Sequence, residues 1–215
     1  MKLYGYFRSS AAYRVRIALN LKGIEAHHVP VNLKPGEDGQ KTPDYRAINP
    51  QMRVPTLVDG DLVLGQSPAI LEYLEENWPD PPLLPAKGAD RAWVRQIAAV
   101  VGCDIHPLNN LSVLTYLKGS LGADGTAVTD WYQHWIHTGF QALEMMLANS
   151  PLTGTFCYGE TPGMADLYLV PQIWNARRFE TPLDDYPTLR RIDEACAELP
   201  AFRRAAPEAQ ADAPR

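Results

Sequence analysis

The sequence predicts two domains: an α/β unit with the order β-α-β followed by β-β-α, and an all-helical unit after it. Three features point to this. Strand patterns at residues 2–6 and 26–32 flank a helical pattern at the spacing of a β-α-β unit, which makes the two strands parallel. Asp59-Gly60 separates two short apolar runs, a strong hairpin signal. Residues 78–88 then hold four prolines in eleven positions, and every later pattern has a helical period. The expected division is a first domain at 1–80, a linker at 81–88 and a helical domain at 89–215.

In the first strand Leu3, Gly5 and Phe7 alternate with Tyr4 and Tyr6, and beyond it Ala11, Val15, Ala18 and Leu19 recur at helical spacing. Ser9 and Ser10 therefore sit at the turn. Either is a good N-cap, because a short hydroxyl accepts a bond from an unpaired amide of the first helical turn. Gly23 closes the helix. A helix start also carries partial positive charge and free N–H donors, which favour an anion in front of it. A thiolate is one such anion, and a hydroxyl donating to the sulfur lowers the thiol pKa further. Plain capping is the alternative use of the same serines.

After the second strand, residues 34–43 form a polar loop with Pro35, Gly36 and Gly39, where Gln40 is either solvated or on the approach to the strand ends. Pro55 precedes the third strand. A cis Val54–Pro55 bond would turn the Val54 backbone outward as a surface for a peptide main chain, and a trans bond is the ordinary alternative. Gly65-Gln66-Ser67-Pro68 opens a third helix with Ala69, Ile70, Tyr73 and Leu74 on its apolar face, Ser67 as N-cap and Pro68 at the first helical position.

In the second domain a pattern over residues 90–117 is broken around 102–107, and another over 127–147 is anchored by Trp131, Trp135, Phe140 and Leu143. Thr161 and Pro162 are expected to cap and start a further helix, with Asp166 near its first turn. Residues 187–199 give the last, and the Ala/Pro-rich tail from Ala205 is expected to fray. Trp93, Val94, Ile97 and Val101 give the first of these helices more apolar surface than one face needs, a reason to expect a partner.

Composition sets limits. The chain has 215 residues, 46% hydrophobic, with a net charge of −5 and dispersed basic residues, so it is not expected to bind nucleic acid. No apolar run reaches spanning length and no signal-peptide pattern opens the chain, so a cytoplasmic protein without membrane contact is expected. Cys103, Cys157 and Cys196 lie far apart and are expected to be buried, reduced thiols. His134 and His137 lack a third ligand nearby, so no metal is expected. Phosphate loops, a Ser-His-Asp order and paired catalytic carboxylates do not rise above noise.

The succession SSAAYRVRIAL, VPTL and GQSPAILEYLEE, followed by a proline linker and helices, resembles the cytosolic glutathione transferase family over nearly the whole chain. RSSAAYRVRIAL, NLSVL and MADLYLVPQIWNARRF are similar, more narrowly, to the zeta class, which includes maleylacetoacetate isomerases and glutathione-dependent maleylpyruvate isomerases. One departure is that Ala11 and Ala12 stand where the motif usually has Cys-Ser. That cysteine does not activate the cofactor in the family picture, so isomerase chemistry is still implied. The segment DIHP at 104–107 looks more like the maleylpyruvate enzymes, and NLSVL at 110–114 more like the maleylacetoacetate ones.

The resemblance implies a thioredoxin-like first domain and glutathione as cofactor. Ser9 would bond the sulfur, with Ser10 and the Ala11 backbone nearby. Val54 would pair with the cysteinyl main chain, and Gln66 and Ser67 would hold the γ-glutamyl carboxylate. Gln40, His106, Asn110, Leu111 and Ser112 would line the remainder, and Asp104 would reach the partner's tripeptide in a homodimer. Arg8 and Arg178 are the candidates for the carboxylates of a dianionic substrate, because a guanidinium fork fits a carboxylate in two places. Arg177 is a weaker third. Ser9, Ser10 and Arg8 form the expected catalytic set. The implied reaction is cis–trans isomerisation of a maleyl dicarboxylic acid in aromatic catabolism. A general glutathione S-transferase or dehalogenase for small electrophiles is the alternative, and a non-catalytic subunit of the same fold is a third reading.

Overall fold

The structure is a computed structural model that describes residues 1–214. Two compact units form: residues 1–83 together with the segment from residue 197 onward, and residues 84–196.

In the first unit β1 (Lys2–Gly5), β2 (His27–Pro30), β3 (Thr56–Asp59) and β4 (Leu62–Gly65) make one sheet in the order β2-β1-β3-β4. β1 and β2 are parallel, joined through α1 (Ser10–Lys22), and the other pairs are antiparallel. Gly60 has φ +58° in the β3–β4 turn, as a tight hairpin requires. α3 (Ser67–Asn77) follows, burying Ile70, Leu71 and Leu74. A short helix, α2 (Pro43–Ile48), interrupts the expected order between β2 and β3. Thr42 caps it by accepting from the Tyr45 N–H at 3.3 Å with Pro43 at its start, but six residues are too few to register as a period.

α1 is buried almost all round. Eleven of its 13 residues are inside, among them Arg14, Arg16 and Lys22, and burying a charge demands a partner for it. The Lys22 ammonium donates to Glu75 at 2.8 Å and to the carbonyls of Trp78 and Pro81, while Glu75 also accepts from the Leu83 N–H at 2.9 Å. One buried ion pair thus ties α1, α3 and the proline-rich segment together.

The second unit contains α4 (Gly88–Ala99), α5 (Leu111–Gly119), α6 (Gly125–Ala148), α7 (Met164–Arg178) and α8, which spans Pro187–Ala197. Between α4 and α5 the expected break is a π-helical turn at Val100–Ile105. Gly139 on α6 permits a close approach there, since a Cβ would meet Ile105 Cδ1 at 2.3 Å. α7 begins two residues later than Thr161-Pro162 suggests. Asp166, at the third helical position, accepts from Gly163 N–H at 2.8 Å and from Cys157 N–H at 2.9 Å, so Gly163 is the cap. Burial pushes the Asp166 carboxyl above its ordinary value, and those two donors pull it back.

Three further expectations are corrected. Val94, Ile97 and Val101 are buried inside the second unit and Trp93 is half-buried, so most of the apolar surplus that pointed to a partner is consumed within the chain. Cys103 is exposed, whereas Cys157 and Cys196 are buried. The tail from Ala205 is held rather than frayed, with Ala205 and Pro207 buried and Asp212 accepting from the Phe7 N–H at 3.0 Å. It follows a helix not expected from the sequence, α9 (Pro200–Ala205), which buries Ala201 and Phe202 beside α1, where the Asn20 amide donates to the Ala201 carbonyl at 2.8 Å. Residues 197 onward, assigned above to the helical domain, accordingly group with the first unit.

Lys22→Met should lower the unfolding free energy by about 3–5 kcal/mol in urea, because Glu75 is left as an uncompensated buried charge. The double variant Lys22→Met/Glu75→Gln should recover a large part of the loss. An unchanged urea midpoint for Lys22→Met would refute this role.

Candidate functional site

The sheet register gathers one set of candidates at a single end of the first unit. Tyr4 pairs with Thr56 and Thr56 with Gly65, so the chain leaving β1, the chain entering β3 and the chain leaving β4 lie side by side. Tyr6 to Ala11, Val54 and Gln66 to Ser67 therefore converge. β2 is parallel to β1 and brings its own exit to the same end, where the Val31 N–H donates to the Gly5 carbonyl at 2.7 Å. The loop beyond it closes with Gly39 N–H on the Asn32 carbonyl at 2.7 Å, next to Gln40.

Ser9 is the N-cap of α1. Its hydroxyl accepts from the Ala12 N–H at 3.2 Å, and its own N–H closes a turn onto the Tyr6 carbonyl at 2.9 Å. A hydroxyl has one donor and two acceptor positions, so accepting from Ala12 leaves its proton available for an anion in front of the helix. Ser10, Ala11 and Ala12 are buried; a Cβ on Gly5 would meet the Ala12 methyl at 3.3 Å, which requires a small residue at position 12. Arg8 is half-buried, donates to the Tyr6 hydroxyl at 3.0 Å and lies over the Tyr6 and Phe7 rings.

The Val54–Pro55 bond is cis. Gln66, rather than Ser67, caps α3, and it does so at φ +64°, ψ 110°. A side-chain-bearing residue in that region is strained by roughly 1–3 kcal/mol, a cost usually met at functional positions. The Gln66 amide donates to Gln51 at 2.9 Å. Ser67 becomes the first helical residue, and its buried hydroxyl accepts from Arg14 at 3.3 Å. Gln40 is also buried, with its amide nitrogen on Asp38 at 3.3 Å and its carbonyl oxygen without a partner. An orphaned buried acceptor at Gln40 fits a ligand that carries N–H groups, and a helix start at Ser9 fits one that carries an anion.

In the second unit, Asp104 and Leu111 are exposed and His106 is half-buried, the latter with its N–H on the Val101 carbonyl at 2.9 Å. Asn110 caps α5, accepting from the Ser112 N–H at 3.0 Å and the Ser112 hydroxyl at 2.8 Å. Arg178 ends α7 with its guanidinium over the Phe179 ring, which stacks on Tyr132. Arg177 instead pairs with Asp193 at 2.6 Å, the ordinary structural use of an arginine. Among the described residues no group of three His, Cys, Asp or Glu is placed to hold a metal.

Arg14, Gln51 and Tyr6 escaped the sequence patterns although each holds a candidate in place. The available signal was the charge inside RVRIAL, since a cation in an otherwise apolar helix must find an acceptor.

Residues 1–76 match the family model for the glutathione S-transferase N-terminal domain. The chain is 51% identical over 212 residues to a maleylpyruvate isomerase from a Ralstonia species, covering 99% of each. A solved holo structure of maleylpyruvate isomerase, described as a bacterial zeta-class glutathione S-transferase, superposes with a TM-score of 0.96 at 50% identity over all of both chains. A maleylacetoacetate isomerase from Methylobacterium extorquens AM1, with bound malonate and glutathione, also gives 0.96, at 44% identity over all of both chains.

Ser9→Ala should lower the unfolding free energy by about 1 kcal/mol, with Ser9→Asn retaining most of the stability, because the cap on Ala12 is lost in one and kept in the other. Equal urea midpoints for all three proteins would mean that the hydroxyl does not cap the helix.

Proposed function

The chain belongs to the zeta class of the glutathione transferase family, and on that premise we propose that it is a glutathione-dependent isomerase converting a maleyl dicarboxylic acid, maleylacetoacetate or maleylpyruvate, to its fumaryl isomer. The observation that carries the reading is the start of α1, where Ser9, its hydroxyl accepting from the Ala12 N–H, shares one sheet end with Val54 and Gln66. When bound, glutathione supplies the thiolate whose reversible addition to the double bond lets the cis acid rotate and leave as the trans acid.

The protein's own part is electrostatic. Ser9 donates to the sulfur, and the helix start favours its charged form, with Ser10 and the Ala11 amide beside it. Neither effect needs a thiol or hydroxyl from residues 11 and 12, so alanines there are compatible with the reaction. Gln66 and Ser67, at the start of α3, take the γ-glutamyl carboxylate, Val54 offers its main chain, and the unpaired Gln40 oxygen accepts an N–H of the tripeptide. From the second unit we assign His106, Asn110, Leu111 and Ser112 to the remaining lining, and Asp104 to the partner subunit's glutathione. Arg8 and Arg178 take the two substrate carboxylates. The first domain, 1–80, thus supplies most of the cofactor contacts together with Arg8, and the helical region from 89 supplies Arg178 and the remaining lining.

We further assign the protein to the cytoplasm and to the catabolism of aromatic compounds. Three free cysteines suit a compartment whose glutathione pool keeps thiols reduced. No described helix is long and apolar enough to cross a membrane. A homodimer is supported by exposed Met52, Leu62 and Val63 around the edge strand β4, and light scattering at micromolar concentration should give twice the chain mass.

Absorbance assays with maleylacetoacetate and maleylpyruvate, each with and without glutathione, test the reaction. At least one acid should isomerise, and only with glutathione. Arg178→Ala should cut kcat/KM for that acid by about 10- to 150-fold, the equivalent of roughly 1.5–3 kcal/mol, and barely affect an uncharged electrophile. Conjugation of electrophiles without isomerisation of either acid would replace this reading by a general transferase.

A further inference from the structure

The loop between β1 and α1 is held by two groups that lie outside the site. Arg16, 4% exposed, donates from Nε to the Ala205 carbonyl at 2.9 Å and from its two terminal nitrogens to the carbonyls of Phe7 at 3.0 Å and Tyr6 at 3.5 Å. Burial pulls its pKa down to about 10, against the nearby charge of Asp212 and Glu208, so it stays charged at neutral pH. The Phe7 N–H donates in turn to Asp212 Oδ2 at 3.0 Å, across 205 positions of the chain. Phe7 is therefore gripped on both sides, its carbonyl by a cation and its N–H by an anion. It is the residue immediately before Arg8 and two before Ser9, and a residue held at both polar groups cannot rotate without breaking one of them.

We propose that Asp212, working with Arg16, is a positioning residue for Arg8 and Ser9, so that the carboxyl-terminal segment sets the reach of the thiol-binding hydroxyl and of the substrate-binding guanidinium. This rests on the function proposed for that loop. Neither residue touches the reacting atoms. Asp212 lies at the surface and contributes no apolar packing, which separates its effect on the loop from any effect on the core. Arg16 does the same from inside, and it also couples the loop to α9 through Ala205.

The test compares Asp212→Ala and Asp212→Asn in the full chain, with Arg16→Lys as an internal second variant. In the ligand-free protein, hydrogen exchange at the amides of residues 7–9 should quicken about three- to tenfold in Asp212→Ala, the range for losing one surface-exposed hydrogen bond. The kcat for the maleyl acid should fall by a similar factor while KM for glutathione changes less than about twofold. Asp212→Asn should restore most of both, because its carboxamide oxygen still accepts from Phe7, and Arg16→Lys should move both readouts in the same direction as Asp212→Ala. Unchanged exchange in Asp212→Ala would overturn the proposal, as would a kcat loss matched by an equal loss of folded protein on thermal melting, or equal defects in Ala and Asn. If the unmodified protein isomerised neither maleyl acid, the proposed function would fall, and the exchange measurement would still decide whether Asp212 holds the loop.

Discussion

Three cations are buried in α1, and the first unit is arranged around their acceptors. Taking an ion out of water costs several kcal/mol after relaxation, and the cost is recovered only where geometry supplies hydrogen bonds. Each cation finds them in a different place. Arg16 binds the loop that enters the helix and the last helix of the chain, Arg14 binds Ser67 at the start of α3, and Lys22 binds Glu75 and the proline-rich segment. The helix therefore fixes two helix starts, its own and that of α3, at one end of the sheet.

On the proposed function, a hydroxyl at position 9 suffices. The anion to be stabilised would arrive with the cofactor, so no protein thiol is needed. The site needs a donor, and the Ser9 hydroxyl, which accepts from the Ala12 N–H, keeps its own proton for that use. It also needs small residues beneath, and Ala12 against Gly5 provides the close approach of helix to sheet. The strained backbone at Gln66 turns the chain sharply out of β4 into α3, which on the same reading lets that helix start face the ligand.

Much of this was legible in local sequence. The alternation around Leu3, the helical spacing from Ala11 to Leu19 and the Asp59-Gly60 turn each reflect interactions within a few residues, and they placed the sheet and α1 correctly. The zeta-class motifs then pointed to glutathione. What escaped was non-local or a contest between two local rules. The packing of Phe202 beside α1 joins distant parts of the chain, so no periodic pattern marks it, and the Ala/Pro-rich composition from Ala205 pointed to fraying. At α7 the preference of proline for a helix start competed with the reciprocal bond of Asp166 to Gly163, and the buried charge prevailed. At α3 Ser67 looked like the cap because serine caps are favourable, but its hydroxyl is taken by Arg14, whose burial has no local signature.

The central claim is that the start of α1, with Ser9, holds the glutathione sulfur as a thiolate. Ultraviolet titration of glutathione bound to the unmodified protein and to Ser9→Ala measures it directly. The bound thiol should ionise at lower pH than free glutathione, and Ser9→Ala should return the midpoint upward by about one unit, equivalent to roughly 1.4 kcal/mol of selective stabilisation. Identical midpoints for free and bound glutathione, or for the unmodified and Ser9→Ala proteins, would contradict the account.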